Sequence, residues 1–253
     1  MRIFLKTEDE IILLRAASQL ATRALIEVGR HVVPRLALSH LRNKVINAVM
    51  RTVPTESNSS KEALSSDTEF TFFVNGAYIE PSLEGECMLC EGDWLTVNCW
   101  VCLDGYYSFG AHTFIVGSSQ DDEPMISTLR DMLRQVVRRA SAGHSIKEMS
   151  RTVYSLHSHD PYVLQKTFGH GVGRNRVENP ILRMNPGVND TVLLKEGMCL
   201  VIALAFKHGR SHLIKPRLMH ESTFHNPFVP FGTTVVVRPG RPEILTSFET
   251  IVK

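Results

Sequence analysis

Two pairs of cysteines have the spacing of a structural zinc site. Cys87 lies three residues before Cys90, and Cys99 lies three residues before Cys102, and paired thiolates at this spacing commonly hold Zn²⁺. The second pair falls inside a run typical of a β-strand, in which side chains three residues apart point to opposite faces of the sheet and cannot both bind one ion. We therefore expect small, buried apolar residues here. Five cysteines in 253 residues indicate free thiols in a reducing compartment.

A glycine-rich segment, Gly169-His170-Gly171-Val172-Gly173, is the second candidate for chemistry. Its spacing is similar to that of a dinucleotide-binding loop, but no strand-to-helix transition surrounds it and no acidic residue follows at the distance of the ribose. We expect the glycines to permit a close approach of two backbones. His170 is interpreted as a structural residue, hydrogen-bonded within a glycine-rich turn.

Four helices are predicted to position these segments. Thr7 and Glu10 form a capping box ahead of apolar residues at helical spacing, and Ser145 with Glu148 forms a second one. The predicted helices cover Thr7 to Arg30, Leu36 to Met50, Pro124 to Ala142, and Ser145 to about Ser155. The polar, serine-rich segment from Thr55 to Thr68 is predicted to be a surface loop.

Strands follow the helices in each half of the chain. From Phe70 to Val116, short runs rich in Val, Tyr, Phe and Trp are separated by Asn-Gly, Glu-Gly and Asp-Gly pairs, which are typical of hairpins. Further strands are predicted at Val192 to Leu194, Cys199 to Phe206, Val235 to Arg238, and Glu243 to Leu245. This repeated order predicts an α+β fold of two similar halves, an antiparallel sheet with helices on one face.

Composition excludes several classes of protein. With 43% apolar and 21% charged residues, the chain is neither disordered nor collagen-like nor a coiled coil. Its formal charge of +2 creates no global field that attracts nucleic acid. No window approaches the roughly 18 apolar residues of a membrane-spanning helix, and acidic residues directly follow Lys6 where a secretory signal would be apolar. We predict an intracellular protein without membrane contact.

The glycine-rich segment and the residues after it resemble the methionine aminopeptidase family. That family carries G-H-G-[IV]-G followed by F-H-E-x-P, and here the second motif reads Val177-Glu178-Asn179-Pro180. The resemblance extends in order through Gly92 to Asn98, Leu103 to Tyr106, Thr113 to Gly117, Lys195 to Met198, and Glu243 to Thr246. It implies one pita-bread domain spanning residues 1–253, with two pseudo-symmetric halves.

Members of this family remove an initiator methionine with two divalent cations held by two Asp, one His and two Glu. The resemblance places these ligand positions, in chain order, on Asn98, Phe109, His170, Ala203 and Gly232. It places the two substrate-contacting histidines of the family on Glu80 and Val177. His170 alone keeps the ligand type.

The loss of four carboxylates decides the expected chemistry. Two unit charges about 4 Å apart repel by roughly 4 kcal/mol at an effective dielectric constant near 20, so a pair of dications without anions should not bind. Burial of Phe109 would instead contribute about 1.5–3 kcal/mol to the fold. Without metal there is no activated water, and we predict a pseudoenzyme with no catalytic residue and no cofactor. A relocated metal site stays open as an alternative, on His157, His159, His208, His212, His220 and His225.

Non-catalytic relatives with this fold include ribosome-biogenesis and tunnel-exit factors and a histone chaperone subunit. By this analogy we predict a partner made of ribosomal RNA and proteins. The protein would be a ribosomal component or a large-subunit assembly factor, in the cytoplasm or, as we favour, in the mitochondrion. The basic residues predicted to contact RNA or the partner are Arg130, Arg134, Arg138, Arg139, Lys207, Arg210, Lys215 and Arg217.

Other interpretations remain open at this stage. The basic residues are equally consistent with a solvated face balanced by Asp121, Asp122 and Asp131. The emptied pocket is also consistent with a module that binds a peptide or an N-terminus. A divergent metallo-aminopeptidase is the third interpretation.

Overall fold

The structure is a computed structural model that describes residues 2–53, 66–117, 124–157, 163–164, 167–185, 192–207 and 228–247. The helices in these ranges are α1 (Glu8–His31), α2 (Leu38–Thr52), α3 (Pro124–Arg138) and α4 (Ile146–His157). The strands are β1 (Glu69–Val74), β2 (Ala77–Ile79), β3 (Trp94–Leu103), β4 (Tyr106–Ile115), β5 (Val163–Leu164), β6 (Thr167–Gly171), β7 (Glu178–Arg183), β8 (Cys199–Lys207), β9 (Phe228–Val236) and β10 (Glu243–Ile244). None of the described helices has both the length and the apolar character that crossing a bilayer requires.

Helix α1 begins at the predicted capping box. The Glu10 amide donates to Thr7 Oγ1 at 3.3 Å, and the Thr7 amide donates to Glu10 Oε2 at 3.0 Å. The capping box thus provides acceptors for these two amides at the start of the helix. Three acidic residues in the first turn, Glu8, Asp9 and Glu10, also complement the positive end of the helix dipole.

Two of the predicted turns join neighbouring strands. Asn75 and Gly76, between β1 and β2, have φ values of 52° and 80°. Asp104 and Gly105, between β3 and β4, have φ values of 50° and 76°. Two consecutive positive φ values define the hairpin turn whose twist matches that of the flanking strands, which is why the sequence places these hairpins correctly.

All ten strands belong to one antiparallel sheet. Its main path runs in the order β2-β1-β3-β4-β9-β8-β6-β7, with β10 paired to β9 and β5 paired to β8. The first half of the chain supplies one side of the sheet and the second half supplies the other. The halves meet where Ala111 of β4 pairs with Gly232 of β9.

Each half buries its helices against its own strands. In the first half, Leu25 and Val45 of α1 and α2 belong to one buried cluster with Phe72 and Val97 of the sheet. In the second half, residues of α3 and α4 join β8 and β9 in another cluster that includes Leu129, Met149, Ile202 and Phe231. The predicted α+β class is confirmed.

Buried hydroxyl groups bridge the junction between β4 and β9. Ser18 Oγ lies 2.6 Å from Ser108 Oγ, and Ser108 donates to Thr234 Oγ1 at 3.3 Å. Thr234 Oγ1 accepts from the Phe109 amide at 2.9 Å and donates to the Phe109 carbonyl at 2.9 Å. Thr246 donates to the same carbonyl at 3.0 Å. These side chains satisfy backbone groups where the strand ladder is short.

Some predicted boundaries are wrong, for local reasons. Val192 to Leu194 forms no strand, because its contact is a single bridge between Leu193 and Ser145. Helix α3 ends at Arg138 and not at Ala142, since the amides after it turn back to Val136 and Val137 at 3.0 and 2.8 Å. The predicted loop from Thr55 to Thr68 lies mostly outside the described residues.

Gly169, His170 and Gly171 of the glycine-rich segment lie in strand β6, so the turn predicted around His170 is wrong. A Cβ atom at Gly169 would lie 2.1 Å from the Val201 carbonyl oxygen, and one at Gly171 would lie 2.3 Å from the Asn179 carbonyl oxygen. Real Cβ atoms do not approach this closely, so glycine is needed at both positions. The expected close approach of backbones is present, but it occurs inside a sheet.

A buried ion pair attaches the segment before α1 to strand β7. Lys6 Nζ lies 2.5 Å from Glu178 Oε2, and both side chains are only 5% exposed. Glu178 Oε1 also accepts from the Asn175 amide at 3.2 Å, and Lys6 Nζ also donates to the Phe4 carbonyl at 3.3 Å. The pair has hydrogen-bonding partners on both sides, as buried charges require.

Removing one partner of this pair should strongly destabilise the fold. We expect Lys6→Met to lower the free energy of unfolding by about 3–5 kcal/mol, because Glu178 would remain buried without a counter-charge. Lys6→Met with Glu178→Leu should recover most of the loss. Glu69→Ala, which breaks the exposed Arg176–Glu69 pair, is the control and should cost about 1 kcal/mol or less. Equal losses in urea-induced unfolding for Lys6→Met and Glu69→Ala would contradict this interpretation.

Candidate functional site

Three of the five ligand positions assigned by the resemblance lie on one line of paired residues across the sheet. Asn98 of β3 pairs with Ala111 of β4, Ala111 pairs with Gly232 of β9, and Gly232 pairs with Ala203 of β8. Directly paired residues on antiparallel strands project from the same face. The sheet therefore places Asn98, Gly232 and Ala203 on one face, although 134 positions separate the first two in sequence.

Phe109 and His170 lie on the same face. Phe109 is two residues from Ala111 on β4, and side chains two residues apart share a face. His170 of β6 pairs with Val201, which is two residues from Ala203 on β8. The structure thus brings the five predicted positions together, and we call this set the five-residue site (Asn98, Phe109, His170, Ala203, Gly232).

The opposite face of the sheet is covered by helices. Ser108 and Gly110, which alternate with Phe109 on β4, contact α1, where Ser18 Oγ is 2.6 Å from Ser108 Oγ. A Cβ atom at Gly110 would lie 3.0 Å from Leu25 Cδ1. The five-residue site therefore belongs to the sheet face that α1 does not cover.

The ring of Phe109 packs into the middle of this site. A Cβ atom added at Gly232 would lie 2.6 Å from Phe109 Cε1 and 3.0 Å from Ala203 Cβ. Phe109 is 7% exposed, so the ring is enclosed by its neighbours. The ring occupies the space that a side chain longer than hydrogen at Gly232 would need.

Aromatic and basic residues that the sequence analysis missed complete this surface. The ring of Trp100 lies 4.8 Å from that of Phe109 and stacks on the imidazole of His170 at 6.1 Å with an interplanar angle of 9°. The guanidinium of Arg176 lies 5.7 Å from the Trp100 ring and 5.8 Å from the Tyr107 ring. A usable signal existed, because Trp100 is two residues from Asn98 on a predicted strand and so shares its face.

His170 is held as a neutral imidazole. Its Nδ1 lies 2.8 Å from the Gly171 carbonyl oxygen. Because a carbonyl oxygen can only accept, Nδ1 carries the proton and Nε2 keeps its lone pair. Desolvation lowers the pKa of His170, and the hydrogen bond to Gly171 opposes this only in part. The ring is therefore uncharged at neutral pH.

Asn98 contributes a buried acceptor. Its Oδ1 atom is shielded from solvent and has no hydrogen-bond donor among the described residues. Buried polar atoms in folded proteins nearly always have a partner, so this oxygen is available to a donor that approaches the same face.

The residues of the site do not fit a pair of divalent cations. Asn98 Oδ1 and His170 Nε2 are its only side-chain donor atoms, whereas Phe109, Ala203 and Gly232 offer none, and hard dications require several charged oxygens. Across the described ranges, no three His, Cys, Asp or Glu side chains lie close enough together to hold a metal ion. The alternative histidines at positions 159, 208, 212, 220 and 225, and the side chain of His157, lie outside what the structure describes.

Four of the five cysteines are buried among apolar residues, and Cys90 is only partly buried. All five are free thiols, and Cys87 and Cys99 belong to the hydrophobic core of the first half. Burial raises the pKa of Cys99, and it raises the pKa of Cys199 to about 12. These thiols therefore stay protonated, as the interpretation of small buried residues predicts.

The two positions that the resemblance assigns to substrate-contacting histidines are exposed. Glu80 is exposed directly before a short 3₁₀ helix, Pro81–Leu83, and Val177 is 58% exposed directly before β7. Glu178, which matches the family motif, is bound to Lys6.

The predicted basic contacts divide into three groups. Arg130 lies over the Phe231 ring at 5.9 Å, and Arg134 forms an ion pair with Asp131 at 2.7 Å. Arg138 and Arg139 are exposed at the end of α3. Arg210, Lys215, Arg217 and the side chain of Lys207 lie outside the described residues.

Comparisons with known proteins match this architecture. The model of metallopeptidase family M24 matches residues 12–211. A methionine aminopeptidase of Helicobacter pylori is 28% identical over 225 residues, which cover 85% of this chain and 87% of that protein. One of Borreliella burgdorferi is 24% identical over 254 residues, covering 97% and 98%.

Solved structures confirm the pita-bread fold. Methionine aminopeptidase from Thermotoga maritima superposes with a TM-score of 0.79 at 20% identity, covering 97% of this chain and 100% of that one. Prolidase from Pyrococcus furiosus superposes with a TM-score of 0.72 at 18% identity, covering 97% of this chain and 66% of that one. At these identities the likeness shows the fold alone.

The contact between Phe109 and Gly232 can be tested by stability. We expect Gly232→Ala to lower the free energy of unfolding by about 1–3 kcal/mol, because the new methyl group would overlap the Phe109 ring. In a Phe109→Leu background the same change should cost less. Gly85→Ala is the control, since no atom lies within 4 Å of a Cβ there, and it should stay within about 0.5 kcal/mol of the parent. Additive losses in a double-mutant cycle would show that the ring does not occupy this space.

Proposed function

This chain is a member of metallopeptidase family M24, and we propose that it is a non-catalytic member, similar in fold to a methionine aminopeptidase, that acts by binding. The observation that carries the proposal is the five-residue site. The resemblance assigns these positions to metal ligands, and four of them hold an amide, a phenyl ring, a methyl group and a hydrogen atom.

Electrostatics supports the proposal. The family offsets the charge of two dications with four carboxylates, and this site offers none. Repulsion between two unit charges at about 4 Å is roughly 4 kcal/mol at an effective dielectric constant near 20. For two dications the repulsion is larger, because the energy is proportional to the product of the charges. Desolvation of each ion adds to that cost. The packed ring of Phe109 also fills the space between these residues, so the site lacks the volume for two ions as well as the ligands.

The two sequence relatives named above, from Helicobacter pylori and Borreliella burgdorferi, are methionine aminopeptidases. A divergent hydrolase is therefore the competing proposal. It would need donors for a metal from residues outside the five-residue site, since that site retains only an amide oxygen and one imidazole nitrogen.

For the partner we propose a ribosomal subunit, through its RNA and proteins, with the protein acting as a component or a large-subunit assembly factor in the mitochondrion or the cytoplasm. Analogy with non-catalytic proteins of this fold supports this proposal. The exposed arginines at the end of α3 are consistent with it.

A peptide-binding module is a second candidate. Asn98 Oδ1 lacks a donor among the described residues, and Trp100 lies only partly buried beside it on the same face. An acceptor next to an aromatic face suits the ammonium group of a peptide N-terminus. The enclosed ring of Phe109 limits how far such a peptide could enter.

Metal binding and turnover test the loss of catalysis. Purified protein titrated with Mn²⁺ or Co²⁺ should show no stoichiometric binding in calorimetry and should not hydrolyse a methionyl peptide. The Thermotoga maritima methionine aminopeptidase serves as the positive control for the assay. Stoichiometric binding together with turnover would overturn the proposal. Loss of both in His170→Ala would then assign the metal to the five-residue site, and retention of both would assign it to other residues.

Sedimentation tests the partner. Full-length protein should sediment with ribosomal particles from its own source at about 50 mM KCl and dissociate steeply towards about 500 mM, because phosphate contacts release counterions. Failure to sediment at the low salt concentration would reject the ribosomal partner. If a peptide with a free N-terminus then bound in calorimetry, and binding weakened in Trp100→Ala, the second candidate would replace it.

A further inference from the structure

A basic groove lies between helix α3 and the segment that follows strand β9. Its volume is about 610 Å³, and the residues that line it include three arginines, Arg134, Arg138 and Arg241, and three apolar residues, Val137, Pro242 and Ile244. Among the described residues that line it, none is acidic. We call it the arginine groove.

The fold brings these arginines together from distant parts of the sequence. Arg134 and Arg138 are four residues apart on α3 and therefore share a helix face. Val137 is buried and packs α3 against the sheet. On the opposite side, Gly240 has a φ of 75°, and the Arg241 amide donates to the Pro239 carbonyl at 2.9 Å. This tight turn places Arg241 across from α3.

Arg134 is paired with Asp131 at 2.7 Å, so the free charge of the groove comes from Arg138 and Arg241. The nearest acid in sequence, Glu243, is bound by Arg15 at 2.6 Å and by Arg238 at 3.1 Å. Within the described ranges, neither Arg138 nor Arg241 forms an ion pair. The carboxyl end of α3 carries about half a negative charge, which offsets only part of one guanidinium.

The chemistry of the lining favours RNA. All three cations are arginines, and a guanidinium binds phosphate oxygens in a bidentate manner and stacks on bases with its flat faces. Ile244 is 41% exposed, and with Pro242 it offers apolar surface that a base or a ribose can contact. The volume is within the range of sites that hold a small ligand, about 300–1,000 Å³, which accommodates a nucleotide.

We infer that the arginine groove binds the phosphates of a single-stranded RNA segment, an inference that rests on the proposed ribosomal partner and names the contact surface. It changes the predicted set of contacts. Arg241 joins Arg134 and Arg138, whereas Arg130 lies over the Phe231 ring and Arg139 is not among the groove residues.

Fluorescence anisotropy with a labelled oligouridylate of about twelve nucleotides tests the inference. Arg138→Ala with Arg241→Ala should weaken binding at least about tenfold and lower the slope of log K against log salt by about 1.4, since each phosphate contact on a single strand contributes about 0.7. Arg139→Ala, next in sequence but outside the groove, is the matched control and should change affinity less than about twofold. Arg138→Lys with Arg241→Lys should keep the salt slope and lose part of the affinity.

Three outcomes of the anisotropy assay would overturn the inference: equal losses in the groove variant and in Arg139→Ala, an unchanged salt slope in the groove variant, or competition by oligoglutamate as strong as by unlabelled RNA. The last would indicate an acidic protein in the groove.

Sedimentation separates this inference from the proposed function. If the wild type and the groove variant sediment equally with ribosomal particles, the groove assignment fails and the ribosomal partner stands. If neither the wild type nor the groove variant sediments, but the groove variant loses oligouridylate binding and the wild type keeps it, the groove assignment stands and the ribosomal partner is rejected.

Discussion

The Phe109 ring packs against the backbone of Gly232 and the methyl group of Ala203 at the junction of the two halves of the sheet, and the character of the site depends on this contact. A Cβ atom at Gly232 would lie 2.6 Å from the ring, so the aromatic side chain and the absence of a side chain opposite it require one another. Trp100 and His170 then stack beside the ring. At the positions that the resemblance assigns to metal ligands, the structure thus has a packed aromatic cluster.

Local signals in the sequence were enough where neighbouring residues determine the conformation. The capping box of Thr7 and Glu10 fixed the start of α1, and the Asn-Gly and Asp-Gly pairs located two hairpin turns, because each depends on a few adjacent residues. The sequence predicts a turn where the structure has strand β6, because the glycines weaken the strand signal. Glycine is required at these positions by the carbonyl groups of Val201 and Asn179. These groups come close to β6 only in the folded sheet.

The residues of the candidate site could be found from the sequence only through the family resemblance. Asn98, Ala203 and Gly232 have no pattern of their own that links them, and cross-strand pairing that joins them is decided by the order of the strands. Trp100 could have been placed beside Asn98 from strand alternation alone, but the positions of Arg176 above Trp100 and of Arg241 opposite α3 could not be predicted, for the same reason. Contacts between residues far apart in sequence depend on topology, which composition and periodicity do not encode.

The hydroxyl groups at the junction of β4 and β9 have a dynamic consequence. Thr234 binds both the amide and the carbonyl of Phe109, and Thr246 binds that carbonyl again. Separating the halves would leave these polar groups without hydrogen-bond partners and out of contact with water, unless the whole region opened. Exchange of the Phe109 amide hydrogen with solvent should therefore require cooperative opening of both halves, because the backbone of Phe109, and not only its ring, is bound at the junction.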